Sequence, residues 1–393
     1  MLRLALALFA IQAGFHGFTA ALPLALARAL VPDPEIGLVV GSAAVVQVPA
    51  AFAAGALVDR FGGRRLLVVA ALAYIAAAAV LLIPGVEAGG PRLPFLVART
   101  LQGIGIAIAL PASLSMVPGL VPAERRGFGL AFVGAAHNLT LVALPPLSLA
   151  ILAAAGLDAV ALATILFALV GVMIGWTIPV AAYSAAGGIV PGESRLRPAA
   201  RWFGFAFRRS WLLLLGIILL YVAHWGAILA YLPQRADAAG ADIGLFFAAD
   251  GIAILLARVP TGWLADRMPG RWLVVGGIVL SGAGIALLLL PPTTPLLIVA
   301  GLLGGAGGGL VLTPLLVELS RRSDDADRGS AFALFSASIA GALALGSIGA
   351  APIVVAAGFE GAIAAGLVAM GAAAILGLAD RPLAKVPARA GAI

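Results

Sequence analysis

The sequence predicts an all-α polytopic membrane protein: two pseudosymmetric bundles of six helices, with both termini cytoplasmic. Three observations predict it. Of its 393 residues, 63% are hydrophobic and the mean hydropathy is +1.14, against roughly 45–50% apolar content in soluble domains. Apolar runs recur along the whole chain, each near the ~20 residues that a helix needs to cross a ~30 Å hydrocarbon layer. A charged motif at residues 55–65 returns 207 positions later.

The first run, about 4–27, opens as "MLRLALALFAIQAGFHGF". One basic residue before an apolar stretch is a signal-peptide pattern. Gln12, Gly14 and His16 interrupt it, and the run extends to about Ala27, so a first spanning helix is expected instead. Further spans are expected at about 38–57, 66–84, 95–118, 128–153 and 160–183. The longest polar connection follows and separates the halves. Its "RWFGFAFRRS" (201–210) reads equally as a short helix along the membrane surface or as a plain basic linker. The second half offers 210–232, 242–264, 272–290, 295–319, 329–356 and 361–379. The expected domains are therefore an N-terminal bundle, 1–183, a cytoplasmic linker, 184–209, and a C-terminal bundle with a short cytoplasmic tail, 210–393.

The net charge of +7 reflects loop arginines rather than a nucleic-acid partner. With the N-terminus inside, nineteen basic residues fall in cytoplasmic segments and only Arg28, Arg92 and Arg235 fall outside; Arg99 and Arg258 lie within spans. That asymmetry obeys the positive-inside rule. It predicts a multi-pass protein of the cell inner (plasma) membrane, with the lipid bilayer as its surroundings. Cysteine is absent, which removes disulfides, thiol catalysis and cysteine metal sites. No Walker loop, H-E-x-x-H or serine elbow occurs, so no enzyme activity, metal or cofactor is expected. Transport, if that is the function, runs on a gradient or downhill.

The halves repeat. Gly55, Leu57, Asp59, Arg60, Gly63 and Arg64 match Gly262, Leu264, Asp266, Arg267, Gly270 and Arg271 at a constant offset of 207. Arg126-Gly127 is echoed by Arg328-Gly329. Repeated six-helix halves mark transporters, with a substrate site expected near the midplane where the halves meet. In "GALVDRFGGRR" (55–65), Gly55 allows close helix approach, and Asp59 suits the amide-rich start of another helix. Gly62 and Gly63 permit a sharp reversal, and the arginines hold the loop in the cytoplasm.

This loop resembles the signature of the major facilitator superfamily between its second and third helices, and "GWLADRMPGR" (262–271) resembles its degenerate copy between the eighth and ninth. "RTLQGIGIAIALP" (99–111) is similar to the family's fourth-helix motif, an Arg followed at +3 and +4 by Gln-Gly. The resemblance covers the whole chain. It implies the major facilitator fold, alternating access and a small-molecule substrate; a monomer is expected. It also implies that the loops latch the halves when the cytoplasmic side is closed, Asp59 near Gly329–Ala331 and Asp266 near Gly127–Gly129. The gating set is then Gly55, Asp59, Arg60, Gly63, Arg64, Gly262, Asp266, Arg267 and Arg271.

Polar residues inside the spans are few, and each needs a partner, a wet cavity or a role, because a charge at the bilayer centre costs about 2.5–3.5 kcal/mol. Asp250 is the first choice for carrying protons, since a carboxyl takes one up when buried and releases it when a cation or water is near. His224 is its expected partner, and Arg99 and His16 complete the proton-coupling set. Gln12 and His16 stand one turn apart on one face. The resemblance places the first, fourth, seventh and tenth spans along the pathway, so Gln12, His16, Arg99, Gln102 and His224 are expected to line it. Asn138 joins them as a substrate contact; it and its neighbour His137 point in different directions, so at most one of the two faces the pathway squarely. Arg99 resembles the fourth-helix arginine of proton-coupled members, where it assists proton movement, and it equally suits an anionic substrate. The glycine run of 301–309 suits a bending gate or close packing. Pro111 and Pro314 are expected as corresponding breaks with freed carbonyls.

These features point to proton-coupled export of small amphipathic or drug-like molecules. The fifth span, "GAAHNLTLVALPPLSLA" (134–150), lacks the Gly-Pro-x-x-Gly-Gly element common in drug/proton antiporters. Uptake of a sugar, organic acid or other metabolite therefore stays open, with a non-transporting membrane sensor as the remote alternative.

Overall fold

The computed structural model describes residues 1–122, 125–178, 209–265, 267–322, 328–380 and 383. The regular structure among them is helical, and the chain divides into two compact units, residues 1–198 and 199–393.

In the first unit, α1 (Leu2–His16) and α2 (Ala21–Arg28) share the first span. The single helix expected there is broken at residues 17–20. Pro23 has no N–H to offer the carbonyl of Thr19, four residues earlier, and its ring crowds that carbonyl. The second span, α3 (Asp33–Phe61), carries Asp33 and Glu35 in its first turn, where the helix dipole favours anions. It ends at Gly62, whose φ of 84° is left-handed and comfortable only for glycine. The chain therefore reverses at once into α4 (Gly63–Leu81). The fourth span is α5 (Leu93–Met116), and α6 (Arg126–Trp176) carries the fifth and sixth, its helical backbone interrupted at Gly156. Pro111 lies within a continuous α5, so the break expected there does not occur. The core joins Leu4, Leu8 and Ile11 of α1 to Leu66 and Tyr74 of α4 and Ile108 of α5. Leu72, Leu162, Leu166 and Met173 remain exposed, as lipid-facing side chains do in a helix that is apolar all round.

The second unit contains α7 (Arg209–Ala238), α8 (Ile243–Ala265), α9 (Gly270–Leu287), α10 (Thr294–Arg321), α11 (Arg328–Ala344) and α12 (Ala351–Ala379). Helix α10 packs on both α8 and α9. A Cβ on Gly305 would overlap the carbonyl oxygen of Asp250, and one on Gly307 would overlap that of Gly277. Of the two expected uses of the glycine run, close packing is the one present; Pro314 does not interrupt α10. Helix α11 continues into a π-helical turn, Leu345–Gly349, and the Tyr231 hydroxyl donates to the Ser347 carbonyl within that turn at 2.6 Å.

Polar ties hold helix ends within each unit. Arg92 pairs with Glu35 at 2.6 Å in the first unit, and Arg235 pairs with Glu360 in the second. Arg322 bridges Glu318 at 2.9 Å and Asp380 at 2.7 Å, and the indole of Trp211 donates to the Arg322 carbonyl at 3.3 Å. Burial works against the charge of Arg322, but its hydrogen bonds to Asp380 and Glu318 outweigh burial and hold the guanidinium above its ordinary range. The linker with "RWFGFAFR" (201–208), most of the C-terminal tail and Asp266 lie outside the described residues.

Candidate functional site

Among the described residues, each unit buries polar side chains inside its spans. In the first, Gln12 of α1 has no exposed surface. Its Oε1 accepts the Tyr74 hydroxyl of α4 at 2.8 Å, and its Nε2 meets Nδ1 of His137 of α6 at 2.9 Å. Because an amide nitrogen only donates, His137 carries its own hydrogen on Nε2. The Tyr74 ring needs the missing side chain of Gly105, where a Cβ would stand 2.6 Å from a ring carbon. His16, one turn beyond Gln12, lies edge-on to His137 and Phe15, with ring centroids 5.7 and 5.3 Å away. Neither of its ring nitrogens has a partner.

Arg99 of α5 completes this cluster and is only 5% exposed. Its Nη1 donates to Gln102 Oε1 at 2.7 Å, its Nη2 donates to the Val40 carbonyl of α3 at 2.8 Å, and its guanidinium stacks over Phe15 at 5.0 Å. Arg99 Nε and Gln102 Nε2 are buried without partners. The sequence-predicted residues Gln12, His16, Arg99 and Gln102 thus belong to one network.

In the second unit, Asp250 of α8 is buried with its Oδ1 unpartnered. It faces Gly304 of α10, where a Cβ would lie 3.4 Å from that oxygen. Nearby, Tyr221 donates to Ser281 Oγ at 3.1 Å, and Ser281 donates to the Gly304 carbonyl at 3.3 Å. His224 is occupied differently from the expectation. Its Nδ1 donates to the Tyr221 carbonyl at 2.5 Å, its Nε2 is unpartnered, and its Cβ side faces Gly366 of α12. The expected Asp250–His224 pair is not made: Nδ1 is held by its own helix, and Nε2 does not reach the Asp250 carboxyl.

Asn138 is buried, yet the network bond belongs to its neighbour His137. Tyr74, His137, Tyr221 and Ser281 are the partners that sequence reasoning missed. The available signal was a lone polar tip in an apolar run, as with Tyr74 in "LLVVAALAYIAAAAVLL". Arg258 is exposed. Among the described residues, no cluster of three or more His, Asp or Glu side chains is arranged to hold a metal ion.

The repeated loops are partly described. A Cβ on Gly55 or Gly262 would meet open space, so the close approach expected at Gly55 is absent; it occurs instead at Gly63, where a Cβ would overlap the Ala112 carbonyl of α5. Arg64 Nη2 donates to the Trp176 carbonyl at 2.6 Å and stacks on that indole at 4.7 Å, while Arg3 donates to the Thr177 carbonyl at 3.3 Å. Cations there complement the negative end of the α6 dipole. Arg60 stacks over Phe61, Arg267 over Trp263 and Arg271 over Trp272, at 5.2, 3.4 and 4.9 Å. The side chain of Asp59 lies outside the described set.

Comparisons with known proteins cover the whole molecule. The family model "Major Facilitator Superfamily" matches residues 4–242 and again 234–392. An uncharacterized MFS-type transporter of Salmonella typhimurium is 26% identical over 309 residues, 78% of this chain and 76% of that protein. Among solved structures, a nucleoside transporter superimposes with a TM-score of 0.74 at 13% identity, over 98% of this chain and 99% of its own. A D-xylose–proton symporter does so at 0.71 and 19% identity, over 95% and 96%. At such identities the two structures speak for the fold alone.

Proposed function

The chain belongs to the major facilitator superfamily, hence is a multi-pass membrane transporter rather than an enzyme, and we propose that it couples export of small amphipathic or drug-like molecules to protons. The observation that carries the proton coupling is Asp250, a buried carboxyl with an oxygen that nothing in the structure satisfies. A carboxyl in that position is neutral when closed off from water and ionises when the pathway opens to it. Alternating access supplies that exposure by rocking one repeat against the other. In the first unit, Gln12, His16, Arg99 and Gln102 contact the cargo or assist proton movement. The protein works as a monomer in the cell inner membrane, and the repeated loops, Gly55–Arg64 and Gly262–Arg271, gate it.

Flux by the purified protein in proteoliposomes, with and without an imposed pH gradient, tests the reading. Transport driven by the gradient in the wild type and lost in Asp250→Asn supports it; full gradient dependence in Asp250→Asn removes Asp250 from coupling. For gating, Asp59→Asn is expected to shift the balance of inward- and outward-facing states. One observation favours a second reading, uptake of a sugar, organic acid or other metabolite: the first unit buries a hydrogen-bonding network suited to a polar cargo, and the fifth span lacks the drug-antiporter glycine–proline element.

A further inference from the structure

The buried polar atoms of the first unit are unevenly used. The amide and carbonyl acceptors beside Arg99 and Gln12 are taken: Gln12 Oε1 by Tyr74, and Gln102 Oε1 and the Val40 carbonyl by Arg99. Donors are left over. Arg99 Nε and Gln102 Nε2 have no partner, and neither does His16, which carries at least one N–H in any protonation state. The orientation of the Gln102 amide follows from Arg99, since only the oxygen can face Nη1, and this turns the unpartnered NH2 away from that bond. Arg99 is a permanent cation, so it neither yields nor accepts protons at physiological pH, and both of its given bonds go to neutral acceptors. The acids described with their side chains in the first unit, Asp33, Glu35, Glu87 and Asp158, sit at span ends or in loops. The face of Phe15 compensates the charge only in part. A tie from α5 to α3 explains Nη2, but not a charge that has no counter-ion among the described residues and unused donors beside it.

Resting on the transporter reading above, we propose that Arg99, Gln102 and His16 form a subsite for an oxyanion group of the cargo, a carboxylate or a phosphate, so that the transported molecule is an organic anion. Arg99 Nε and Gln102 Nε2 supply charge-assisted and neutral hydrogen bonds to the two oxygens, and His16 supplies a third donor. Phe15 and the surrounding apolar side chains accept the rest of the molecule.

Thermal unfolding of the full-length protein in detergent, followed by the fluorescence of its six tryptophans, tests this with matched probes at constant ionic strength. Benzoate and phenylphosphate are expected to raise the melting temperature with saturating dependence, while benzamide and benzylammonium do not. The relative response to the two anions tells carboxylate from phosphate. Gln102→Leu is expected to weaken anion binding about tenfold, the loss of one charge-linked hydrogen bond. Gln102→Glu places a tethered carboxylate beside Arg99, so it should melt above both the wild type and Gln102→Leu and ignore benzoate. The proposal is overturned if neither anion stabilises the wild type, or if Gln102→Glu melts below Gln102→Leu or keeps the benzoate response. Proteoliposome flux separates the two layers. Stabilising anions that are not carried leave the subsite standing and count against transport of that cargo. Gradient-driven flux without any anion binding keeps the transporter and sinks the subsite.

Discussion

The hydroxyl of Tyr74 in α4 donates a 2.8 Å hydrogen bond to Oε1 of Gln12 in α1, two residues 62 positions apart and both fully buried. With Gln12 Nε2 engaged by His137, this bond makes one polar thread through α4, α1 and α6. Replacing Tyr74 with Phe keeps the ring and leaves a buried amide oxygen unsatisfied. The expected loss is about 1–3 kcal/mol, read as a lower melting temperature in detergent. Gln12→Leu removes the acceptor as well, so Tyr74→Phe/Gln12→Leu should cost less than the sum of the single changes.

Asp250→Asn is expected to retain or raise thermal stability while abolishing the response of flux to a pH gradient. Asp250 Oδ1 has no partner to lose among the described residues, and an amide is easier to bury than a carboxylate. A large drop in melting temperature would instead mark Asp250 as a structural residue.

Arg322→Met should be among the most damaging substitutions in the second unit. It strands Glu318 and Asp380, whose side chains are 14% and 0% exposed. Breaking a buried pair by removing one partner costs about 3 kcal/mol or more. Removing both charges in Arg322→Met/Asp380→Leu should restore part of that stability, which unfolding of the purified variants would show.

Gly305→Leu is expected to prevent recovery of a monodisperse protein on size exclusion, because α8 and α10 leave no room for a side chain between Gly305 and the Asp250 carbonyl. Gly55→Ala and Gly262→Ala meet open space and should fold normally. A reduced flux in either of these, with the fold intact, would assign the glycine to movement rather than to packing.

Spans, turns and the duplication were legible in the sequence, because they depend on properties that each residue carries by itself. Hydrocarbon solubility sets where helices run, and Gly62 marks a reversal whose left-handed backbone the structure shows. Only the tertiary structure decided which polar side chains meet. It selected His137 over Asn138, joined Tyr74 to Gln12, gave the His224 imidazole to the Tyr221 carbonyl rather than to Asp250, and placed the close glycine contact at Gly63 rather than Gly55. The reason is physical. A soluble helix announces its buried face by a polar one opposite, whereas helices apolar on every side carry no such mark. Their rotation, and so the partners of each buried polar group, follows from small-residue packing and hydrogen-bond direction, which exist only once the helices are side by side.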